Sequence, residues 1–183
     1  SERNLKTYLK NGESLEVNFK KNNFEYELSN DVNTDKNISN IIDRNSLALS
    51  LSSPWIFKKS FIDKLNGRLI NLHEANLPLN RGGATLSWMI MTNTNESAST
   101  LHFVNPGIDK GDIILKKSYN FSSSMDTPSD FNDFIFKNSI SLIKKFIILS
   151  LDNEKFTVQP QNNKKSTYWP RLKTIEQAFI NWD

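Results

Sequence analysis

The sequence predicts an α/β fold built on a sheet with parallel strands. Three observations carry that expectation. Short apolar runs of strand length alternate with segments of helical period, the order that builds β-α-β units. Turn signals separate them, with Asn66-Gly67, Pro54 and Pro78 closing individual runs. Five of the six glycines and both histidines fall between residues 67 and 112, so the unusual backbone and the titratable rings share one stretch of chain.

The elements follow in order. Residues 3–22 read as a polar helical stretch broken near Asn11-Gly12. Phe24 to Leu28 alternates apolar and polar residues, as a half-buried strand does. After a turn at 31–35, residues 36–44 place apolar side chains at 38, 41 and 42, a helical period. Residues 46–51 form a short apolar run of strand character that Pro54 stops, and 58–65 form one or two helical turns. Residues 68–72 are the next strand. Residues 84–91 read as an apolar helix, and 97–104 and 112–121 as strands flanking a Gly-bearing turn at 105–111. Residues 131–151 carry the spacing of a long amphipathic helix. The tail, 152–183, is polar and irregular, with Pro160 and Pro170.

Composition narrows the classes. At 183 residues, one domain with a sizeable core is the prior. With no cysteine, the chain is neither a disulfide scaffold nor a thiolate metal site. It has no apolar run of about 18 residues, so no transmembrane helix is expected, and cytoplasm is the default location. Its 23 basic and 20 acidic side chains are interspersed, unlike the basic stripe of a dedicated DNA binder. Lysine pairs such as Lys58-Lys59 and Lys144-Lys145 read as solvated surface.

One constellation has chemistry in it. Asn71 and His73 stand two apart at the carboxyl end of a strand, so their side chains share a face. Ligands of open α/β sheets bind outside those strand ends. The segment 76–83, ending Arg81-Gly82-Gly83, is a loop whose backbone can approach a ligand. Asp109 sits on a turn framed by Gly107 and Gly111. Amide, imidazole and carboxylate are the groups an acyl transfer to an amine requires. The amide stabilises an oxyanion, the imidazole accepts the amine proton and the carboxylate orients the imidazole. Each feature alone also has a plain structural reading: a packed histidine, a turn, a hairpin. His102, inside an alternating strand, reads as packing or as the back wall of the site.

Taken together, these residues resemble a known family. Asn71-Leu72-His73, Leu77-Pro78, Arg81-Gly82, Trp88 and then Gly107-Ile108-Asp109-Lys110-Gly111-Asp112-Ile113-Ile114 are similar in order and spacing to the formyltransferases that use 10-formyltetrahydrofolate. These include glycinamide ribonucleotide, methionyl-tRNA and sugar N-formyltransferases. The resemblance runs from about Leu47 onward. It implies a Rossmann-like formyltransferase fold with a mostly parallel sheet, incomplete at both ends. Residues 1–151 would be the catalytic domain without its first strand and helix, and 152–183 a polar connector to a C-terminal module.

It further implies catalytic roles for Asn71, His73 and Asp109. The donor, 10-formyltetrahydrofolate, would bind against Ser53, Trp55, Ile56, Gly107 and Ile108, with no metal. Glu74, Arg81, Gly82, Tyr168 and Trp169 would bind the acceptor. Many members carry Pro-Ser or Ala-Pro after the histidine, where this chain has Glu74-Ala75-Asn76, close to the amine in the family. Residues 166–172 (Ser-Thr-Tyr-Trp-Pro-Arg-Leu) and 180–183 look most like the sugar N-formyltransferase branch. The expected acceptor is therefore a primary amine on a nucleotide-linked amino sugar, without a membrane or nucleic-acid partner; a homodimer is compatible. A methionyl-tRNA formyltransferase core and a formyltetrahydrofolate hydrolase are the alternatives.

Overall fold

A computed structural model describes residues 5–152 and 155–172. Two short helices, α1 (Leu15–Lys21) and α2 (Lys36–Ile41), lead into a four-stranded sheet in the order β1-β2-β4-β5. Ser14 caps α1 by accepting from Val17 N, and Asp35 caps α2 by accepting from Asn37 N and Ile38 N. β1 (Ala48–Leu51) and β2 (Leu69–His73) run parallel, joined through α3 (Lys59–Lys64). A two-residue strand β3 (Arg81–Gly82) precedes α4 (Thr85–Met91). β4 (Glu96–Phe103) and β5 (Ile113–Asn120) form a hairpin, followed by α5 (Pro128–Leu151).

The fold is α/β, as the sequence predicts. The pairing differs in part: β2–β4 and β4–β5 are antiparallel, so the described sheet is mixed where a mostly parallel one was expected. The nine residues between β4 and β5 (104–112) are too few for a parallel crossover, which takes a dozen or more.

Helix α5 shows why the core lies where it does. Thr127 and Asp130 form a reciprocal capping box, and Pro128 starts the first turn. The buried positions Ile135, Ser139, Leu142 and Phe146 recur at helical spacing and face the sheet. Leu142 and Phe146 pack with Ile70, Leu101 and Ile114 in the main core, and each full burial is worth about 1.5–3 kcal/mol. Ser139 stays satisfied there through a 2.9 Å hydroxyl–hydroxyl bond to Ser99. A second cluster (Phe61, Ile62, Leu65, Leu69) fixes α3 against the sheet.

Two segments differ from expectation. Phe24–Leu28 forms no strand and pairs with none among the described residues; Phe24, Tyr26 and Leu28 remain exposed, and Phe24 and Tyr26 instead pack on Phe19. Alternation supplies a strand only where another edge is available to pair with it. In the stretch 3–22, Leu5 is helical and a helix runs over Leu15–Lys21 among the described residues, and between them Tyr8 makes an isolated antiparallel bridge to Ser14.

Residues 155–172, expected to be irregular, carry a 3-10 turn (Asn163–Lys165) and a short strand β6 (Tyr168–Trp169) that pairs parallel with β3. Gln159 bridges to Ile113, and Phe156 stacks on Phe146 in the core. The C-terminal piece 180–183 lies outside the described residues. No helix among the described residues is long and apolar enough to cross a membrane.

Candidate active site

β1 and β2 are parallel, so their carboxyl ends open on the same edge of the sheet, and a cleft of about 740 Å³ lies there. Three of the seven described non-glycine residues with positive φ line it, Ser52, Ala84 and Asp109, and a fourth, Asn80, bonds His73 through its carbonyl. Left-handed backbone in such residues costs roughly 1–3 kcal/mol each and is characteristic of binding sites.

Asn71 and His73 project together from β2. The antiparallel register sets His102 of β4 directly opposite Asn71, so it shares their face. Asp109 enters from the β4–β5 loop at φ +49°. Its carboxylate lies between the two rings, with Oδ2 3.7 Å from His73 Nδ1 and Oδ1 3.5 Å from His102 Nε2. Oδ2 also accepts a 2.8 Å bond from Gly82 N.

Bond partners assign the tautomers. His73 Nε2–H donates to Asn80 O at 2.8 Å, so the lone pair of Nδ1 faces Asp109. His102 Nδ1–H donates to Phe103 O at 2.8 Å, which leaves Nε2 to accept from Asn71 Nδ2 at 3.2 Å. Asn71 is thereby fixed with its donor end at the site and one N–H unused by His102.

The electrostatics suit a base. Burial pushes the His73 imidazole below its ordinary value, while Asp109 and the bond to Asn80 O pull it back up. The ring is therefore held neutral, with a carboxylate ready to stabilise the cation once Nδ1 takes a proton. Burial pushes the Asp109 carboxyl up, but the rings of His102 and His73, once protonated, and the Gly82 N–H together outweigh that effect and hold it below the usual range. Glu74 also lines the cleft, and burial raises its carboxyl above normal.

Ser53, Trp55, Ile56, Gly107 and Ile108 line the cleft, together with Val104 and Pro106. Ser53 accepts from Trp55 N, and the Trp55 indole N–H donates to Asn30 O, which holds this loop. Glu74, Gly82 and Tyr168 line it as well. Arg81 and Trp169 do not line the cleft. Arg81 is 4% exposed, and its guanidinium is bonded to Gln161 and Asn163. Trp169 stacks on Trp88 and packs against the cluster of Ala75, Met89 and Ile135. Both side chains are engaged in these structural contacts outside the cleft lining.

Gln161 and the Asn80 carbonyl take part in the site although no local motif marks them, and His102 takes the back-wall place that is one of its two readings. An imidazole opposite Asn71 follows only from the β2–β4 register, and Gln161 lies 52 positions from the loop it holds.

An amide donor, a neutral imidazole and a carboxylate thus meet at the carboxyl edge of an α/β sheet, the groups that an acyl transfer requires. The formyl transferase family model matches residues 33–145, more than half the chain, and the protein belongs to that family of enzymes. Among curated relatives, methionyl-tRNA formyltransferase of Alkaliphilus oremlandii (strain OhILAs) is 29% identical over 150 residues, covering 81% of this chain and 47% of the relative. That of Desulforamulus reducens is 36% identical over 114 residues, covering 62% and 35%. The chain thus spans less than half the length of these relatives.

Among solved structures, WlaRD, a sugar 3N-formyl transferase crystallised in the presence of dTDP and 5-N-formyl-THF, superposes with a TM-score of 0.70 at 28% identity. The match covers 87% of this chain and 54% of that one. The N-formyltransferase of Helicobacter canadensis, in complex with folinic acid and dTDP-3-aminofucose, gives 0.68 at 28% identity, covering 87% and 55%.

Proposed function

We propose that the protein transfers a formyl group from 10-formyltetrahydrofolate to a primary amine on a nucleotide-linked amino sugar, in the cytoplasm. The observation that carries this reading is the convergence of Asn71 Nδ2, His73 Nδ1 and the Asp109 carboxylate on one cleft. The cleft has the size of a small-molecule cofactor site, and its mixed wall of Trp55, Ile56 and Ile108 beside backbone amides suits a flat heteroaromatic donor.

In that reaction the acceptor nitrogen forms a bond to the formyl carbon, and the bond from that carbon to N10 of the folate breaks. His73 Nδ1 takes the proton lost by the amine and passes it to N10 as it leaves. Asn71 Nδ2 donates to the developing oxyanion. Asp109 and Asn80 O hold the transient imidazolium from its two nitrogens. Ser53, Trp55, Ile56, Gly107 and Ile108 hold the donor, and Glu74, Gly82 and Tyr168 face the acceptor.

The sugar branch is supported by the folate-containing sugar N-formyltransferase neighbours, which overlie most of this chain, and by its near-balanced charge. The curated relatives support a second reading, a methionyl-tRNA formyltransferase core. The test is a screen of the full-length protein against nucleotide-linked 3-amino and 4-amino sugars and against initiator methionyl-tRNA, with tetrahydrofolate release as readout. Turnover that needs the amino sugar is expected. Turnover only with tRNA, weakening steeply with salt, replaces the first reading by the second; folate release without any acceptor replaces both by hydrolysis.

A further inference from the structure

Asp109 holds an unfavourable backbone conformation, at φ +49°, at the point where its carboxylate must meet His73. Something outside the loop must keep it there, and one side chain does so from 52 residues away. Gln161 Nε2 donates to Asp109 O at 2.9 Å and to Gly111 O at 2.7 Å, bracketing the turn. Its Oε1 accepts from Arg81 Nε at 3.1 Å and from Arg81 Nη2 at 2.7 Å. Arg81 only donates and the two carbonyls only accept, so the amide has a single chemically consistent orientation, with every site on it occupied. Arg81 precedes Gly82, whose N–H orients Asp109 Oδ2. Gln161 therefore fixes both the backbone that carries the carboxylate and the strand that aims it.

We propose that Gln161 is a positioning residue that sets the Asp109 carboxylate against His73. It touches no reacting atom; it acts through Asp109. The inference rests on the Asp109–His73 pair of the proposed reaction, but its test does not need the reaction.

The charged and titratable groups facing His73 are Asp109 and His102. The coupling between Asp109 and His73 can be read from the His73 ring titration, followed by heteronuclear NMR in the full-length chain. Asp109→Asn lowers the His73 pKa, because it removes the charge that favours the cation. That lowering is measured again in a Gln161→Met background, where the side-chain volume is kept and all four bonds are lost. The expected result is a lowering less than half as large, accompanied by a turnover loss of roughly 10- to 100-fold for Gln161→Met alone. Should Gln161→Met not fold, Gln161→Glu serves. It keeps acceptors toward Arg81 and withdraws both N–H donors from the loop, and the coupling is expected to shrink in the same way.

An equal lowering with and without Gln161 overturns the proposal and leaves it a structural residue; so does the absence of any lowering by Asp109→Asn. Reduced coupling in a protein that transfers no formyl group removes the proposed function and keeps this inference. Transfer with unchanged coupling does the reverse.

Discussion

Asp109→Asn removes a charge and almost no volume, and so isolates the electrostatic part of the site. The carboxylate oxygen stands 3.7 Å from His73 Nδ1, with the two side chains 14% and 7% exposed. A unit pair at that distance interacts by about 1 kcal/mol in water and by roughly 4.5 kcal/mol at an effective dielectric constant near 20. The low exposure places the pair toward the larger figure, so about 2–4 kcal/mol of imidazolium stabilisation is lost, a fall in kcat of about 30- to 1,000-fold. The introduced amide can still accept from Gly82 N, so the loop stays in place. The sign in pH follows as well. Asp109 raises the His73 pKa against burial, and its removal moves the acid limb of kcat to lower pH. The assay is tetrahydrofolate release by the full-length protein across pH, with His73→Ala as the inactive reference. A loss smaller than about threefold, or an acid limb that moves upward, refutes the pairing.

Three further outcomes are expected. The folded-state pKa of His73 lies below its ordinary value, so unfolding takes up a proton as pH falls below about 6.5; stability declines from there through the folded value, and His73→Gln flattens that slope in urea midpoints measured at several pH values. A Cβ on Gly111 would stand 1.7 Å from Phe103 O, a backbone atom with no room to yield, so Gly111→Ala is expected to cost roughly 2–4 kcal/mol by denaturant unfolding. Thr127→Ala removes the hydroxyl that accepts from Asp130 N at the start of α5, leaving the backbone half of the capping box, and is expected to cost about 1 kcal/mol, seen as a Tm lower by about 2–4 °C.

What the sequence makes legible is what is local. Asn71 and His73 are two positions apart on one strand, and a strand's period alone sends them to one face. Asp109 is framed by glycines within a short loop, and Gly111 meets the backbone of Phe103 so closely that no side chain fits. The α5 helix announces itself by apolar spacing and by its capping residues. What the sequence hides depends on register and on long-range return. His102 reaches the site because β4 pairs antiparallel to β2 with His102 opposite Asn71, which no short window encodes. Arg81 reads as a ligand side chain in a loop motif, yet it is turned to Gln161 and Asn163, 80 and 82 positions away. Phe24–Leu28 shows the converse: a good strand pattern that remains unpaired among the described residues.

The return of residues 155–172 also bears on the order in which the molecule is made. β3 finds its only strand partner among the described residues in β6, more than 80 residues later. Thr167, Gln161 and Asn163 make their contacts with Asn80 and Arg81 across a similar span. Closing so long a loop is entropically expensive and slow, and on the ribosome it cannot begin until the distal segment has emerged. The sheet and α5 can consolidate first, with Asn71 and His73 already on their strand. The Asp109 loop is held in place last, so a nascent chain acquires its fold before it acquires its chemistry.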